Sequence, residues 1–497
     1  MPIPPEILAV DRPKNTVVQA YGKNGDRFLV KQRTGCKYVN GRRVPVNGPV
    51  VGHIVDGIYV PKPDIETISV SFSPIELKDW AAVALCDKLF SPMIANMEKV
   101  YCHADALKLY CIAVLRVCFP GIKDYELKDA YDTSFLSVFY PNVGLSRNVV
   151  SKFLNDVGKA CSKITAFMRN RAEAINMDHH LLVDGTLKSD ESRVNSLSDF
   201  SRKARTKGTR DISVLYAFDL EAHEPVCSKC FPGNMLDLTS YEAFIADNGI
   251  TKGIIVADKG FPSSAAEQQF SKNPDLHYLN PVKRNAKIIS SYELYDYDGI
   301  LPGTDGVLYK KAKYARTNKW FYSYRNPEMA AKEEKDWLKH AKKNGNFSFV
   351  SFQRKQKSFG TAVLESDLDL TPAEAYKAYA SRWEIELVMR FYKSACEFDE
   401  TREHDDYSVI ASEFCDFLSS VLTFRLLNTF DSRGVLEKNS YKRVMSLLRR
   451  AKKVFVNGQW KLIKISPSSV ELLQKLELLP CCEESGEVHG KPDQNGV

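Results

Sequence analysis

Several things are missing from this 497-residue sequence, and each absence removes a class of protein. No apolar run is long enough to span a bilayer, because LYCIAVLRVCF and FLSSVLTFRLL are short and interrupted by Arg116 and Arg425. A membrane protein is therefore not expected. The opening MPIPPEILAV lacks the basic start and apolar core of a secretory signal, which points to a cytoplasmic chain with reduced thiols. Its 12 cysteines are scattered, and Cys227 and Cys230 form the only CxxC. Cys481 and Cys482 are adjacent rather than spaced, so a structural zinc is not expected. There is no P-loop, GxSxG or HExxH motif and no internal repeat, which argues against nucleotide hydrolysis, serine esterase chemistry, a zinc protease and a solenoid.

What is present reads as a globular chain of several domains, with 44% hydrophobic and 26% charged residues. The net charge of +7 is mild, but the cations are clustered. One group is Arg202, Lys203, Arg205, Lys207 and Arg210, in a stretch without an acid. A second is Lys310, Lys311, Lys313, Arg316 and Lys319. A third is Lys442, Arg443, Arg449, Arg450, Lys452 and Lys453. Any one of them is an ordinary solvated surface; three together favour contact with a phosphate backbone.

In chain order, residues 1–70 alternate β-type runs with the turn signals Asn24-Gly25, Asn40-Gly41, Asn47-Gly48 and Asp56-Gly57, predicting a small antiparallel unit. Residues 71–177 turn helical from PIELKDW onward. Within them, 124–158 fits a helix-turn-helix whose second helix is capped by Ser146 and exposes Arg147, Ser151, Lys152 and Asn155. The segment 178–285 supplies apolar strand runs. HHLLVDGT ends in Asp184-Gly185-Thr186, two further strands follow, SYEAFIADNG is helical with Gly249 closing it, and GIIVADKGF places Asp258 at a strand's carboxyl end. Residues 286–370 read as β-rich, with ILPGTDGVLYKKAKYA, KWFYSYR and FSFVSFQ as strands around a helical MAAKEEKDWLKHAKK. Residues 371–433 return to helix, 434–481 form a basic helical region, and 482–497 read as a disordered tail.

The informative stretch is Thr371–Glu397. Thr371, Pro372 and Glu374 make a capping box with proline at the first helical position. On a helical wheel Tyr379, Arg382, Glu386 and Lys393 fall within an arc of about 60°, and Glu384 points away from them. A solvated face with an Arg382–Glu386 pair explains two of the four. The spacing Y-x2-R-x3-E-x6-K, together with VDGT, FPGN, ADKGF and their order, resembles the YREK-bearing DDE transposases of bacterial insertion sequences, the insertion-sequence-four type. The resemblance spans roughly residues 180–430.

That resemblance implies an α/β, RNase H-like mixed sheet with a β-rich insertion, preceded by small β and helical N-terminal domains. It implies catalysis by Asp184, Asp258 and Glu386, which would hold two Mg²⁺ or Mn²⁺ ions, with Asp184 as the bridging ligand. Tyr379, Arg382 and Lys393 would position phosphates, and Trp320 in the insertion would stack a flipped base. Asp190, Glu191, Asp211 and Asp219 read instead as surface or turn acids. The expected activity is hydrolysis at the element ends and attack of the released 3′-OH on target DNA. The expected partners are double-stranded terminal repeats, target DNA and a second copy in a synaptic homodimer, all in the bacterial cytoplasm at the nucleoid. A domesticated DNA-binding protein and an RNase H-like nuclease without strand transfer are the competing readings. EFDETREHDDYS, following Lys393, departs from the family pattern by its acidity.

Overall fold

The computed structural model describes residues 3–22, 27–39, 41–62, 76–190, 192, 194–200, 209–235, 238–257, 269–315, 317–345, 347–381, 400–401, 403 and 405–480. It divides into two units, Met1–Ile75 and Glu76–Val497. The first is an antiparallel sheet of β1 (Thr16–Tyr21), β2 (Arg27–Val39), β3 (Arg42–Val55) and β4 (Ile58–Pro61), in that spatial order. Val18, Val30 and Ile54 form its small core. Asn47-Gly48, expected as a turn, lies inside β3. The ladder with β2 runs through it, and register shifts near Arg33 absorb the irregularity.

In the second unit, β5 (Glu76–Asp79) is a strand where a helix was expected. It pairs with β17 (Lys452–Val456), which continues into β18 (Gln459–Leu462). AKKVFV was likewise expected to extend the helix Tyr441–Arg450. β5 finds its ladder partner almost the whole chain away, a contact that local periodicity does not encode. β17 also forms a hairpin with β18 through Asn457-Gly458, a turn signal that the helical reading passed over. The Lys453 ammonium lies 3.9 Å over the Trp80 ring at this junction.

The main sheet begins with β6 (His180–Asp190), β7 (Asp199–Phe200), β8 (Arg210–Asp219) and β9 (Glu224–Pro232). The helix Leu238–Asp247 then leads into β10 (Lys252–Ala257) and β11 (Asp275–Pro281). Gly249 follows that helix with φ +63°, the left-handed turn expected of it. Strands β6, β8 and β9 are an antiparallel meander; β10 runs parallel to β6, and β11 parallel to β10. The spatial order β9-β8-β6-β10-β11 is that of an RNase H-like sheet. β8 is buried along nearly its whole length, which is why ISVLYAF is a continuous apolar run rather than an alternating one.

The β-rich region extends this same sheet. β12 (Gly299–Ile300), β13 (Leu308–Lys313), β14 (Trp320–Arg325) and β15 (Thr361–Ser366) continue from β11, with β15 antiparallel to it. Between β14 and β15 lie two helices, Pro327–Lys343 and Phe349–Gln356. The second was expected as a strand. Instead Phe352 and Phe359 pack on Trp337 of the first helix, at 5.7 and 6.4 Å between ring centroids. Burial of those aromatics outweighs their β-propensity. Finally β16 (Glu400–Thr401) pairs parallel with the far end of β6.

The helix Asp406–Ser432 is buried on nearly every side, as its apolar composition requires. Asp405 caps it by accepting from the backbone N–H groups of Tyr407 and Ser408. It packs against His103–Cys118 and Arg147–Lys159 and behind β9. Among the described residues no helix is long and apolar enough to cross a membrane.

Candidate active site

Asp184 stands in the middle of β6, not at its end, because the antiparallel ladder to β8 continues through Asp184–Tyr216 to Ser189–Asp211. DGT reads as a turn only while β8 is ignored. The carboxylate is half-buried, and its Oδ1 accepts the Gly185 backbone N–H at 2.8 Å. Val183, the residue before it, pairs with Ala257 at the end of β10. Asp258, the next position in the chain, lies outside the described residues, as do Arg382, Glu386 and Lys393.

Tyr379 is described, and its helix is what the sequence predicts. Thr371 and Glu374 form the reciprocal capping box, with Thr371 N to Glu374 Oε2 at 2.8 Å and Glu374 N to Thr371 Oγ1 at 3.2 Å. The helix over 372–381 buries Ala375 and Ala378 in the core cluster that also holds Leu182 of β6 and Val256 of β10, and half-buried Tyr379 packs on that cluster. Since side chains two apart on a strand share a face, Leu182 and Asp184 look the same way. The start of the YREK helix thus lies on the sheet face that carries Asp184.

Trp320 opens β14, partly buried, with the Lys311 and Lys313 ammonium groups 4.6 and 5.2 Å from its ring centroid. It is held as part of the packing around β13 and β14.

A network with no signal in the sequence backs the Asp184 face. Lys188, one strand repeat beyond Thr186, is only 2% exposed and meets Glu413 at 2.6 Å and Asp416 at 2.8 Å on the helix Asp406–Ser432. Arg116 reaches Asp416 from the other side at 2.7 Å and Asp124 at 3.3 Å. Burial works against the Lys188 charge, but Asp416 and Glu413 overcome it and hold its pKa up. Glu403, from the acidic stretch, joins at the edge. Burial and then the Asp124 carboxylate push it up to about 8, against the pull of Arg116. The stretch that departs from the family pattern therefore helps close the core: Asp405 also accepts from Asn155, and Asp406 from Ser196. Asn155, expected on an exposed recognition face, is partly buried by that bond, while Arg147, Ser151 and Lys152 remain exposed.

Of the other acids near β6, Asp190 and Asp219 are turn acids, as read, whereas Asp211 lies within the β8 ladder opposite Ser189. All three are buried rather than on the surface, and Glu191 lies outside the described residues. Asp219 accepts from the backbone N–H groups of Glu221 and Ala222, and Asp190 from that of Ser192. Among the described residues, His179, Asp219 and Glu221 bring ligand atoms within 4.8 Å of one another. This group is not the acidic triad of the sequence. It lies five residues up β6 from Asp184, about 16 Å of strand. Its oxygens are already engaged: Asp219 by His179 at 2.7 Å, Glu221 by the backbone and ring of His180. Cys227 and Cys230 are three apart on β9, so they face opposite sides of the sheet and their sulfurs do not converge.

The topology defines the class: an RNase H-like sheet with a half-buried aspartate, Asp184, on its first strand. Residues 177–407 match the family model described as the transposase DDE domain. Over a little under half of its length the chain is thus similar to a DDE transposase domain, the domain of DNA-transposing enzymes that use divalent metal ions. Among solved structures, the chain resembles a cryo-EM structure of a piggyBac transposase synaptic complex with hairpin DNA. Identity is 14%, coverage is 74% of this chain and 79% of that one, and the TM-score is 0.39. No curated protein matches the sequence.

Proposed function

We propose that this protein is a transposase of the insertion-sequence-four type, which cuts the ends of its element and joins the freed 3′-OH ends to target DNA. Asp184, Asp258 and Glu386 are its catalytic and metal-holding acids. The observation that carries the reading is the register Val183–Ala257, which brings the two strands level one residue before Asp184 and Asp258 in the sequence. That helix 372–381 shares a core cluster with Leu182 and Val256 supports the assignment of Glu386, seven residues after Tyr379, to the same site.

The donors suit the ions. Carboxylates are hard oxygen ligands, the set that Mg²⁺ or Mn²⁺ accepts while keeping several waters. When bound, two such ions supply charge relief on the leaving oxygen and a strong nucleophile at neutral pH. The chain's own part is positional. β6 holds Asp184 in its ladder with β8, next to Val183, which pairs with Ala257 of β10. The buried Lys188 ion pairs fix the helix Asp406–Ser432 on the same face of β6. Tyr379, Arg382 and Lys393 orient phosphates, Arg382 by a bidentate fork and Lys393 as a point charge. Trp320 is assigned the stacking of an unpaired base. The partners are double-stranded element ends and target DNA, engaged by a homodimer at the nucleoid. The exposed Arg147, Ser151 and Lys152 belong to the unit assigned to terminal-repeat reading.

The test is cleavage and joining of end-bearing duplexes with Mg²⁺, with Asp184→Ala as the control. Joining by the wild type and none by the variant is expected. Cleavage without joining would make the protein a nuclease, and an Asp184→Ala protein that still cuts would remove the site assignment.

A further inference from the structure

The first unit contains a feature that the DDE domain does not use. β1 covers β2 only as far as Gln32, and β4 covers β3 only from Gly52 onward. Beyond those points Arg33–Val39 and the facing part of β3 pair with each other and with no other strand among the described residues. The result is a free-standing two-stranded ribbon, about 20 Å long at the usual rise per residue. Every residue of 33–39 and 41–47 is exposed, and Tyr38 is 75% exposed. A ribbon of this kind contributes nothing to its own core, so its sequence answers to something outside the unit.

That sequence is strongly one-sided. From Arg27 to Val55 there is no acid, while Arg27, Lys31, Arg33, Lys37, Arg42 and Arg43 are basic. The ladder sorts the tip residues by face. Lys37 sits opposite Val44, Val39 opposite Arg42 and Gly35 opposite Val46, so one face alternates cations with small apolar side chains. The other face carries Tyr38 opposite Arg43 and Cys36 opposite Pro45, with Arg43 Nε 2.9 Å from Cys36 Sγ.

We infer that this ribbon is a DNA-binding arm that lies in a groove of the duplex. A two-stranded ribbon fits the major groove, about 12 Å wide, and the interleaved cations meet phosphates on either wall while Val44 and Val46 approach the bases. Pairing with a second copy of this chain is the other use of a bare ribbon edge, and the sequence opposes it. Two such ribbons would repel through four cations each, Arg33, Lys37, Arg42 and Arg43, with no acid between them. Pro45 and Pro49 also deprive β3 of two donors that a further strand would need. Duplex DNA as the partner rests on the transposase reading; the ribbon's geometry and charge do not.

The experiment uses the full chain, a fluorescent mixed-sequence duplex of about three helical turns, and EDTA in place of metal, so that phosphoryl transfer plays no part. Lys37→Gln, Arg42→Gln and Arg43→Gln are combined. The variant should bind at least about tenfold more weakly at moderate salt, and its slope of log affinity on log salt should be shallower by about 2–3, close to 0.9 per lost phosphate contact. Unchanged circular dichroism controls for folding. Alkylation of Cys36, read by peptide mass spectrometry, should slow when DNA is added to the wild type. Unchanged affinity and slope, or a Cys36 rate indifferent to DNA, overturns the inference. So does a variant that loses only self-association, which would make the ribbon an interface between copies. A protein that binds through the ribbon but never cuts its element ends would sink the catalytic proposal and leave the ribbon standing.

Discussion

At the scale of single residues, the two kinds of buried or half-buried charge on β6 do different work, and substitution separates them. Asp184→Asn removes a ligand charge without changing shape. Strand cleavage should fall on the order of 10³-fold, equivalent to several kcal/mol of transition-state stabilisation, while the urea midpoint stays put. Lys188→Met does the reverse. It strands Glu413 and Asp416 in the core with Arg116 alone and should cost about 3–5 kcal/mol in urea unfolding; adding Glu413→Leu should recover part of it. An undiminished midpoint in the single variant would mean that the pairs are not buried as described. Glu403 gives the pH signature. Its pKa is raised by burial to about 8 from an ordinary value near 4.5, so the folded protein holds that proton more tightly than the unfolded chain. The resulting stability is full below the ordinary value and is lost as pH rises toward 8. Glu403→Gln should therefore match wild type near pH 5 and gain on it progressively up to about pH 8, measured as urea midpoints across that window.

At the scale of elements, helix geometry makes a sharp distinction between two glutamates. Glu386 falls on the face shared with Tyr379, Arg382 and Lys393, and Glu384 on the opposite one, so Glu386→Ala should abolish cleavage and Glu384→Ala should leave it within a few-fold. Equal losses would show that the helical phase does not continue past residue 381. The start of that helix was fully legible in the sequence, since Thr371 and Glu374 act within one turn. By contrast FSFVSFQ could not be read as a helix. Its aromatics satisfy a strand as well as a helix until Trp337 and Phe359 are placed beside them. Asp184-Gly185 fails as a turn for a related reason: a glycine after an aspartate signals a bend only where no neighbouring strand keeps the ladder going.

For the whole molecule, the described core clusters respect the division at residue 75. The large core and its two neighbours draw only on residues from Trp80 onward, while the small cluster lies entirely within the first unit. The fragment 76–497 should therefore fold by itself, with a melting temperature within a few degrees of the full chain, and should lose the ribbon's share of DNA affinity. Failure of the fragment to fold would show that the first unit stabilises the second.

By itself the sequence determined whatever rests on short-range rules. The capped helix at Thr371, the buried helix Asp406–Ser432, the meander-helix-strand order and the acid-bearing strand all follow from caps, periodicity and apolar runs a few residues long. Only the tertiary structure decided what depends on partners distant along the chain. It joined the β-rich region to the main sheet, paired β5 with β17, and set Lys188 and Arg116 around Asp416. It also brought Glu403, Asp405 and Asp406, from the acidic stretch after Lys393, into partly buried contacts. A buried charge is tolerated only where its counter-charge arrives, and neither position along the chain announces the other.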